Sequence, residues 1–379
     1  MLPQDFSTRT HFPGTYTSRF DFLLHFAEAV QNLRSPIFAA ILFLIALLST
    51  RDLFWAFSFW IFVLFDWLVI ALLPRARKSF GPSKPPTLIL AILRAPFAAL
   101  PYPYNFFAQT LGTALVIYAF WIEPHKISVT RATLRTTKLD ARAPPLRVLH
   151  LGDLHVERIT ARERELIRRA HDLAPDLILF SGDFLNLSTL NDPAAWEDTR
   201  AIFRALSAPL GIYAVTGSPP VDQPEIVARL LNGLDVRWLR DERVTVQHYG
   251  CAIDVIGITC THRPQIDRET LRGILRGAAK NFSMLVYHSP DLAPEAAAQG
   301  IDLQLSGHTH GGQIRLPIFG ALYTSSLYGK QFEMGQYQID ELTLYVTRGI
   351  GLEGAGAPRA RFLCPPEIIL WEISGAVEN

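Results

Sequence analysis

The sequence contains few cysteines and little charge. Its three cysteines, Cys251, Cys260 and Cys364, form no CxxC pair, so neither a disulfide framework nor a cysteine-based zinc site is predicted. Charged residues make up only 19% of the 379 residues, and 36 Lys and Arg nearly balance 35 Asp and Glu. This balance argues against a nucleic acid as partner, because binding driven by bulk positive charge is excluded. With 49% hydrophobic residues, the chain is also too apolar to be intrinsically disordered.

The apolar residues are concentrated in four runs before residue 123. The second run is long enough to cross a bilayer, which takes roughly 20 apolar residues, and the fourth is nearly as long. The first run is short, and the third is interrupted by Arg94 and Pro96. A buried helical domain is the alternative, but runs this long and aromatic are more typical of membrane spans. The runs lie at residues 36–49, 53–73, 88–100 and 106–122.

These runs predict a polar segment over residues 1–34 and a transmembrane helical region of three to four spans over residues 35–123. Asp66 lies inside the second run, where a carboxylate must face another helix or water. Basic residues flank the outer ends of the first two runs and follow the fourth. Because cytoplasmic flanks are rich in Lys and Arg, this pattern predicts a multi-pass inner-membrane protein with a cytoplasmic C-terminal domain. That orientation requires residues 88–122 to cross twice or re-enter, and a single crossing would place the domain outside.

The remainder of the chain has the composition of an α/β domain. Residues 124–145 are interpreted as a linker and residues 146–379 as one domain, which is long enough for a single core. Five short apolar runs in it each end in a polar, mostly glycine-containing cluster. This pattern is typical of buried strands with functional residues at their carboxyl ends.

Helical patterns separate the predicted strands. They lie at residues 161–173, 225–234 and 268–279, with Thr160 as a plausible N-cap for the first. Two later apolar runs, which begin at residues 342 and 366, have no helix between them. They predict a sheet edge or a second sheet that closes the domain.

The polar clusters contain the residue types that hold divalent metal ions. The pairs at 153 and 155, and at 308 and 310, are each spaced by two, so both side chains of a pair can point to one side of an extended strand end. Two carboxylates and four imidazoles at strand ends suit Mn, Fe or Zn. A single histidine in a strand is more often structural than a metal ligand. The joint occurrence of two carboxylates and four imidazoles in this order makes a chance pattern improbable. The six candidate metal ligands are Asp153, His155, Asp183, His288, His308 and His310.

With these residues, the sequence resembles the calcineurin-like metallophosphoesterases, in particular their membrane-associated bacterial branch. The resemblance covers roughly residues 146–373 and is carried by GDLH, GDF, a strand-end His and GHTHGGQI, and by the stretch from Tyr345 to Gly351. It implies two packed β-sheets flanked by helices, and two divalent ions that activate water for attack at phosphorus. It also implies that Asp153, His155 and His310 hold one metal, Asp183 bridges both, and His288 and His308 hold the second.

The sequence departs from the family pattern after the third strand. The family has Gly-Asn-His followed by an acid, where the Asn binds the second metal and the His assists the transition state. This chain has Gly217-Ser218-Pro219-Pro220 instead. Ser218 and Asp222 are possible compensating ligands, and His262 or Asn186 could supply a polar group from elsewhere. Without the positioned donor, the rate could fall by about 100-fold or more.

Three functions remain open at this stage. The first is a membrane-anchored phosphodiesterase or pyrophosphatase that acts on a lipid-linked substrate, for example UDP-diacylglucosamine. The second is a metal-binding pseudoenzyme with a regulatory or scaffolding role, and the third is a tethered phosphoesterase that acts on nucleotides. Arg348 and Arg361 are possible phosphate-binding residues, because arginine holds phosphate oxygens bidentately.

Overall fold

The computed structural model describes residues 19–276 and 281–377, with side chains from Phe26 onward. Residues 1–18 of the predicted polar segment therefore lie outside the described residues, whereas Arg19–Asn32 form a helix. The described chain forms a helical unit, which comprises residues up to 125 together with 353–362, and a C-terminal unit, which comprises the other residues.

The helical unit contains five α-helices before a π-helical turn at Tyr118–Ile122. Two helical segments, Leu53–Ala71 and Tyr104–His125, are long and apolar enough to cross a membrane. A third candidate exists if Phe26–Asn32 and Ser35–Thr50, which meet at a bend of 112°, act as one span. The described residues thus contain two to three candidate spans, where the sequence predicted three to four. The third apolar run forms a shorter helix, Lys84–Ala98, which contains Pro96. The helices are α1 (Arg19–Asn32), α2 (Ser35–Thr50), α3 (Leu53–Ala71), α4 (Lys84–Ala98) and α5 (Tyr104–Ile117).

Asp66 has a buried partner on a neighbouring helix, which the sequence alone did not identify. Its carboxylate forms an ion pair with Arg94 of α4 and accepts a hydrogen bond from Thr113 Oγ1 of α5 at 2.8 Å. Arg94 Nε also donates to Gln109 Oε1 at 2.8 Å. Gly112 leaves room for this arginine, since a Cβ at that position would lie 2.8 Å from Arg94 Nε. The network connects α3, α4 and α5 and satisfies charges that are costly in an apolar environment.

The C-terminal unit consists of two six-stranded sheets with helices on their outer faces. The first sheet has the order β1-β14-β2-β3-β4-β5 and the second β12-β13-β9-β8-β7-β6. The strands are β1 (Ser128–Thr136), β2 (Leu146–Leu151), β3 (Leu177–Phe180), β4 (Ile212–Ala214), β5 (Arg237–Trp238), β6 (Glu242–His248), β7 (Cys251–Gly257), β8 (Phe282–Val286), β9 (Leu303–Ser306), β10 (Arg315–Leu316), β11 (Gly320–Ala321), β12 (Gly335–Ile339), β13 (Leu342–Val346) and β14 (Glu367–Gly375).

Side-chain alternation along the strands produces this layering. Leu146 and Val148 of β2 pack into the core between the two sheets, together with Trp371 of β14. Leu149 and Leu151 of the same strand point to the opposite face, where they contact helices. The predicted fold class of two sheets flanked by helices is therefore confirmed. The helices are α6 (Ala161–Leu173), α7 (Pro193–Ala205), α8 (Pro224–Leu231), α9 (Pro264–Leu275) and α10 (Ala293–Ala298).

Two segments differ from the sequence-based expectation. The predicted linker at 124–145 contains β1, which pairs in parallel with β14 over nine residues. The helix expected at 268–279 begins earlier, at Pro264, and ends at Leu275, while residues 277–280 lie outside the described part of the chain. By contrast, α6 has the predicted bounds, because the Thr160 and Glu163 side chains form a capping box at its first turn.

Candidate metal centre

The candidate ligands lie at the carboxyl ends of adjacent parallel strands in both sheets. Asp153 follows β2 and Asp183 follows β3, which pair in parallel in the first sheet. His288 follows β8, and His308 and His310 follow β9, which pair in parallel in the second sheet. Since the two sheets pack face to face, the ends of these strands bring all six candidates into one region of the C-terminal unit.

Backbone N–H groups from neighbouring loops orient the two carboxylates. The His308 N–H donates to Asp153 Oδ1 at 2.9 Å, and the Ser218 N–H donates to Asp183 Oδ1 at 2.7 Å. Glycine is required beside each acid, because a Cβ at Gly307 would lie 2.9 Å from Asp153 Cγ and one at Gly217 would lie 2.8 Å from Asp183 Cγ. One oxygen of each carboxylate is thereby fixed, and the second oxygen of Asp183, Oδ2, lies near His155 and His288.

One compact group of four ligands has the geometry of a metal site. Asp153, His155, Asp183 and His310 are all buried, and one ligand atom from each lies within 4.8 Å of the others. His155 Nε2 lies 3.3 Å from Asp183 Oδ2, and His310 Nε2 lies 3.6 Å from Asp153 Oδ1. The two imidazole Nε2 atoms are 3.0 Å apart. Among the described residues, this is the one group of His, Cys, Asp or Glu side chains with this spacing.

The backbone at these residues is left-handed. Asp153, His155, Asp183, His308 and His310 all have φ between 41° and 70°. Such φ values are uncommon for residues other than glycine, although Asp, Asn and His adopt them more readily than most. Backbone strain of this kind persists where surrounding contacts enforce it and is frequent at functional sites. Here it turns each side chain sharply out of its strand and into the centre.

A second group surrounds the other side of Asp183. His288 Nε2 lies 3.4 Å from Asp183 Oδ2. The Nδ1 atom of His288 lies 2.9 Å from the Ser181 carbonyl oxygen, which favours a proton on Nδ1 and leaves Nε2 for a metal. The Ser218 hydroxyl lies 3.1 Å from His288 Nε2 and 3.4 Å from His308 Nδ1. Asp183 is thus shared between the four-residue group and this second group.

The residues considered as replacements for the missing Asn and His occupy different positions. Ser218 lies among the second group. Asp222 accepts hydrogen bonds from the backbone N–H groups of Asp183 and Gly217 at 2.7 Å each and of Phe184 at 3.0 Å, so its oxygens hold the loop. Asn186 donates to the Leu352 carbonyl oxygen at 2.9 Å.

His262 lies beside the second group. Its ring centroid is 5.2 Å from that of His308, and its side chain is half-buried. Its backbone is also left-handed, with φ of 57°. No local motif marks this residue in the sequence, because it lies on the loop between β7 and α9, far along the chain from the other candidates.

The two candidate phosphate-binding arginines have different surroundings. Arg348 forms an ion pair with Glu367 at 2.9 Å and donates to Ser128 Oγ at 2.9 Å. Arg361 is fully buried and belongs to the helical unit, where its backbone N–H donates to the Ala119 carbonyl oxygen at 2.9 Å. A phosphate-binding role for either arginine stays a prediction.

Burial and neighbouring charges raise the pKa values of some site residues and lower those of others. Burial raises the pKa of Asp153 to about 6. Burial opposes the ionised form of Asp183, but the charge of His288 and hydrogen bonds from His155 and His288 lower its pKa well below the usual range. Burial likewise opposes the charged form of His288, but Asp183 raises its pKa to about 9. Burial, followed by the charge of His288, lowers the pKa of His262 to about 4.

The donor set fits a divalent cation. Asp153 Oδ2 is buried and has no hydrogen-bond partner among the described residues, although an unsatisfied carboxylate oxygen is costly in a protein interior. Buried carboxylate and imidazole ligands together are the set that Mn, Fe and Zn accept. A cation between Asp153, His155, Asp183 and His310 would satisfy this oxygen and separate the closely spaced imidazoles.

Comparison with known proteins identifies the same region. A family model described as calcineurin-like phosphoesterase matches residues 146–312. The uncharacterised metallophosphoesterase YkuE of Bacillus subtilis is 28% identical over 68% of this chain and 88% of its own. The UDP-2,3-diacylglucosamine pyrophosphatase LpxG of Chlamydia trachomatis is 28% identical over 67% of this chain and 91% of its own. The phosphodiesterase YaeI of Escherichia coli is 26% identical over 70% of this chain and 96% of its own.

Proposed function

Residues 146–312 form a domain of the calcineurin-like phosphoesterase family, and from this membership we propose that the chain is a membrane-anchored, metal-dependent phosphoesterase. Its reaction is the hydrolysis of a phosphodiester or pyrophosphate bond in a lipid-linked substrate. The observation that carries the proposal is the buried group Asp153, His155, Asp183 and His310. Two relatives support the bond type, since one is named a pyrophosphatase and the other a phosphodiesterase.

The residues of the chain have distinct roles in this proposal. Two bound divalent ions would supply Lewis-acid activation of water and charge neutralisation at phosphorus. Asp153, His155 and His310 would hold the first ion, and His288 and His308 would hold the second. Asp183 Oδ2 lies 3.3 Å from His155 Nε2 and 3.4 Å from His288 Nε2, so its carboxylate would be shared by the two groups. The left-handed backbone at five of these residues keeps the side chains oriented before substrate binds, which lowers the reorganisation needed for catalysis.

The lipid-linked substrate and the membrane anchor belong together in the proposal. Two to three candidate spans precede the phosphoesterase domain in the same chain. A substrate that is held in the bilayer would be available to a domain tethered there. The LpxG relative is named for a diacylated sugar nucleotide, which supports a lipid-linked substrate for this chain.

The proposed location is the inner membrane, with several crossings and the phosphoesterase domain in the cytoplasm. Basic residues near the ends of the apolar runs support this orientation. The three cysteines also support it, because Cys260 and Cys364 are buried thiols of the kind that a reducing compartment preserves.

The alternative is a metal-binding pseudoenzyme, and one specific observation favours it. Ser218 occupies the second group without an amide oxygen, and Pro219 and Pro220 follow where a catalytic histidine is expected. A hydroxyl group is a weaker metal ligand than a carboxylate or imidazole. In this case the four-residue group would still bind one ion, but turnover would be absent.

Metal content and hydrolysis of bis(p-nitrophenyl) phosphate distinguish the two functions. We expect the full-length protein, purified in detergent with Mn²⁺, to hydrolyse the diester, and the His310→Ala variant to lose both metal and turnover. His171→Ala is the matched control, since His171 is exposed on α6 and should change neither. Metal binding without turnover in the wild type would favour the pseudoenzyme, and unchanged turnover in His310→Ala would refute the proposed centre.

A further inference from the structure

The segment from residue 316 to residue 327, here called the apolar hairpin, exposes an unusual number of large hydrophobic side chains. Six of its twelve residues belong to this class, whereas the other described residues of the C-terminal unit contribute four. Contiguous exposed apolar surface of this kind marks an interaction site more often than isolated exposed residues do. The six are Leu316, Ile318, Phe319, Leu322, Tyr323 and Leu327.

The exposed tip of the apolar hairpin has a defined conformation. The short strands β10 and β11 pair in an antiparallel manner on either side of it. At the tip, Ile318 is completely exposed and has φ of 67°. A β-branched residue in the left-handed region is an outlier, and Gly or Asn would adopt this conformation at lower cost. The Ile318 side chain is therefore exposed in spite of the cost of its left-handed backbone conformation.

The apolar hairpin is attached directly to the candidate metal centre. It begins six residues after His310, and Arg315 donates to the Gly311 carbonyl oxygen at 3.0 Å. On its other side, a Cβ at Gly312 would lie 2.8 Å from the Tyr323 carbonyl oxygen. The hairpin therefore packs against the loop that carries the ligand, so whatever covers the hairpin lies next to the reaction site.

Lys330 is an exposed cation of the region around the apolar hairpin. Arg315 forms an ion pair with Glu333 at 2.7 Å, and Asp291 accepts a hydrogen bond from the Leu327 N–H at 3.0 Å, so these charged groups are engaged locally. The Lys330 Nζ atom lies 3.3 Å from the Phe319 ring centroid and donates to the Phe319 carbonyl oxygen at 2.5 Å, while the residue itself is exposed. A lysine that covers an aromatic ring and keeps its ammonium group at the surface is typical of membrane interfaces, where it meets anionic headgroups.

We propose that the apolar hairpin docks on the surface of the bilayer, with its six exposed side chains among the acyl chains and Lys330 at the headgroup level. The occupant is the bilayer rather than a protein, because the same chain carries candidate membrane spans that tether this domain. This inference rests on the proposed function, for which it supplies the place where the lipid part of the substrate would meet the metal centre.

Fluorescence of a labelled hairpin tests the inference in the full-length protein. The protein is reconstituted in nanodiscs of phosphatidylcholine and phosphatidylglycerol, in a Cys251→Ser background that removes the partly exposed native cysteine. An environment-sensitive dye is attached to Ile318→Cys, and separately to Tyr323→Cys in case the first variant does not fold. Tyr249→Cys is the control, because Tyr249 is equally a large exposed side chain but lies on the β6–β7 turn.

We expect a blue shift and quenching by brominated phosphatidylcholine at positions 318 and 323, and neither effect at position 249. A water-like spectrum at both hairpin positions would overturn the inference. A blue shift without quenching would also overturn it, since a protein surface would then cover the hairpin. Hydrolysis of bis(p-nitrophenyl) phosphate by the unlabelled protein is measured in parallel, so that loss of the proposed function is distinguished from failure of the docking.

Discussion

The backbone N–H of Ser218 donates a hydrogen bond to Asp183 Oδ1 at 2.7 Å. Through this bond, the loop after β4 orients the carboxylate that both ligand groups share, although its side chains differ from those of the family. The Ser218 hydroxyl lies 3.4 Å from Asp183 Oδ2 and 3.1 Å from His288 Nε2. The loop therefore orients the shared carboxylate through its backbone and places the Ser218 hydroxyl beside His288.

Restoring the family residues in this loop tests whether the hydroxyl is a defect. We expect the double variant Ser218→Asn, Pro219→His to bind a second metal ion more tightly and to hydrolyse diesters faster, because the amide oxygen is a better ligand and the imidazole is a better donor. Metal content by mass spectrometry and turnover of bis(p-nitrophenyl) phosphate are the measurements. A decrease in both would indicate that the loop is adapted to Ser218, and Ser218→Ala then serves as the reference for losing the hydroxyl alone.

The carboxylate of Asp222 is expected to be a positioning group. In Asp222→Asn, one of the oxygens that accept the N–H groups of Asp183, Gly217 and Phe184 becomes a donor. Each lost bond to a buried carboxylate costs about 1.5–3 kcal/mol, so the melting temperature should fall and metal affinity should weaken. Scanning fluorimetry with and without Mn²⁺ measures both effects. Asp172→Asn on the exposed face of α6 is the control and should melt like the wild type.

His262 is expected to contribute to turnover without holding the first metal. Its ring lies beside His308, and burial lowers its pKa to about 4, so the imidazole is neutral near pH 7 and can donate one hydrogen bond. We expect His262→Ala to reduce kcat by about 100-fold while the metal content is retained, since that is the usual effect of losing a positioned donor. Equal kcat in His262→Ala and the exposed-histidine control His171→Ala would contradict this role.

The ion pair inside the helical unit is expected to stabilise the packing of α3, α4 and α5. Asp66→Asn leaves Arg94 buried without its counter-ion, and breaking a buried pair in this way costs about 3–5 kcal/mol. Thermal aggregation of the detergent-solubilised protein should therefore occur at a lower temperature. Arg75→Met removes an exposed arginine from the same unit and provides the comparison. The pair is dispensable if Asp66→Asn and Arg75→Met aggregate at the same temperature as the wild type.

The proposed cytoplasmic orientation can be tested by labelling an engineered cysteine. Arg164→Cys lies on the exposed face of α6, and the Cys251→Ser background removes the partly exposed native thiol. A membrane-impermeant maleimide should label this position only after the cells are permeabilised. Labelling in intact cells would place the domain on the outer side, as a single crossing by residues 88–122 would require.

Local sequence was sufficient to predict a feature wherever a few neighbouring residues define a conformation or a pair of ligands. The α6 bounds followed from helical spacing and the capping residue Thr160. The six metal-ligand candidates were recognisable because each follows a short apolar strand, and the structure brings them together at one end of the two sheets. The association with calcineurin-like phosphoesterases was also evident from these short motifs, and the family model confirms it.

Features that depend on distant parts of the chain were not recognisable in the sequence. The segment around β1 resembles a linker because its outer strand face is polar, and its pairing partner β14 begins more than two hundred residues later. Asp222 resembles a possible ligand, but its oxygens are directed to the backbone of the neighbouring β3 loop.

The sequence by itself determined the buried strands that precede the polar clusters, helix α6, the apolar helices and the candidate metal ligands, because these depend on spacing within a few residues. The tertiary structure alone decided which polar groups are used by the backbone, that Arg94 pairs with Asp66, and that His262 lies beside His308. These relationships arise when two sheets or three helices pack. They join residues from different elements whose separation in sequence carries no information about their distance in space.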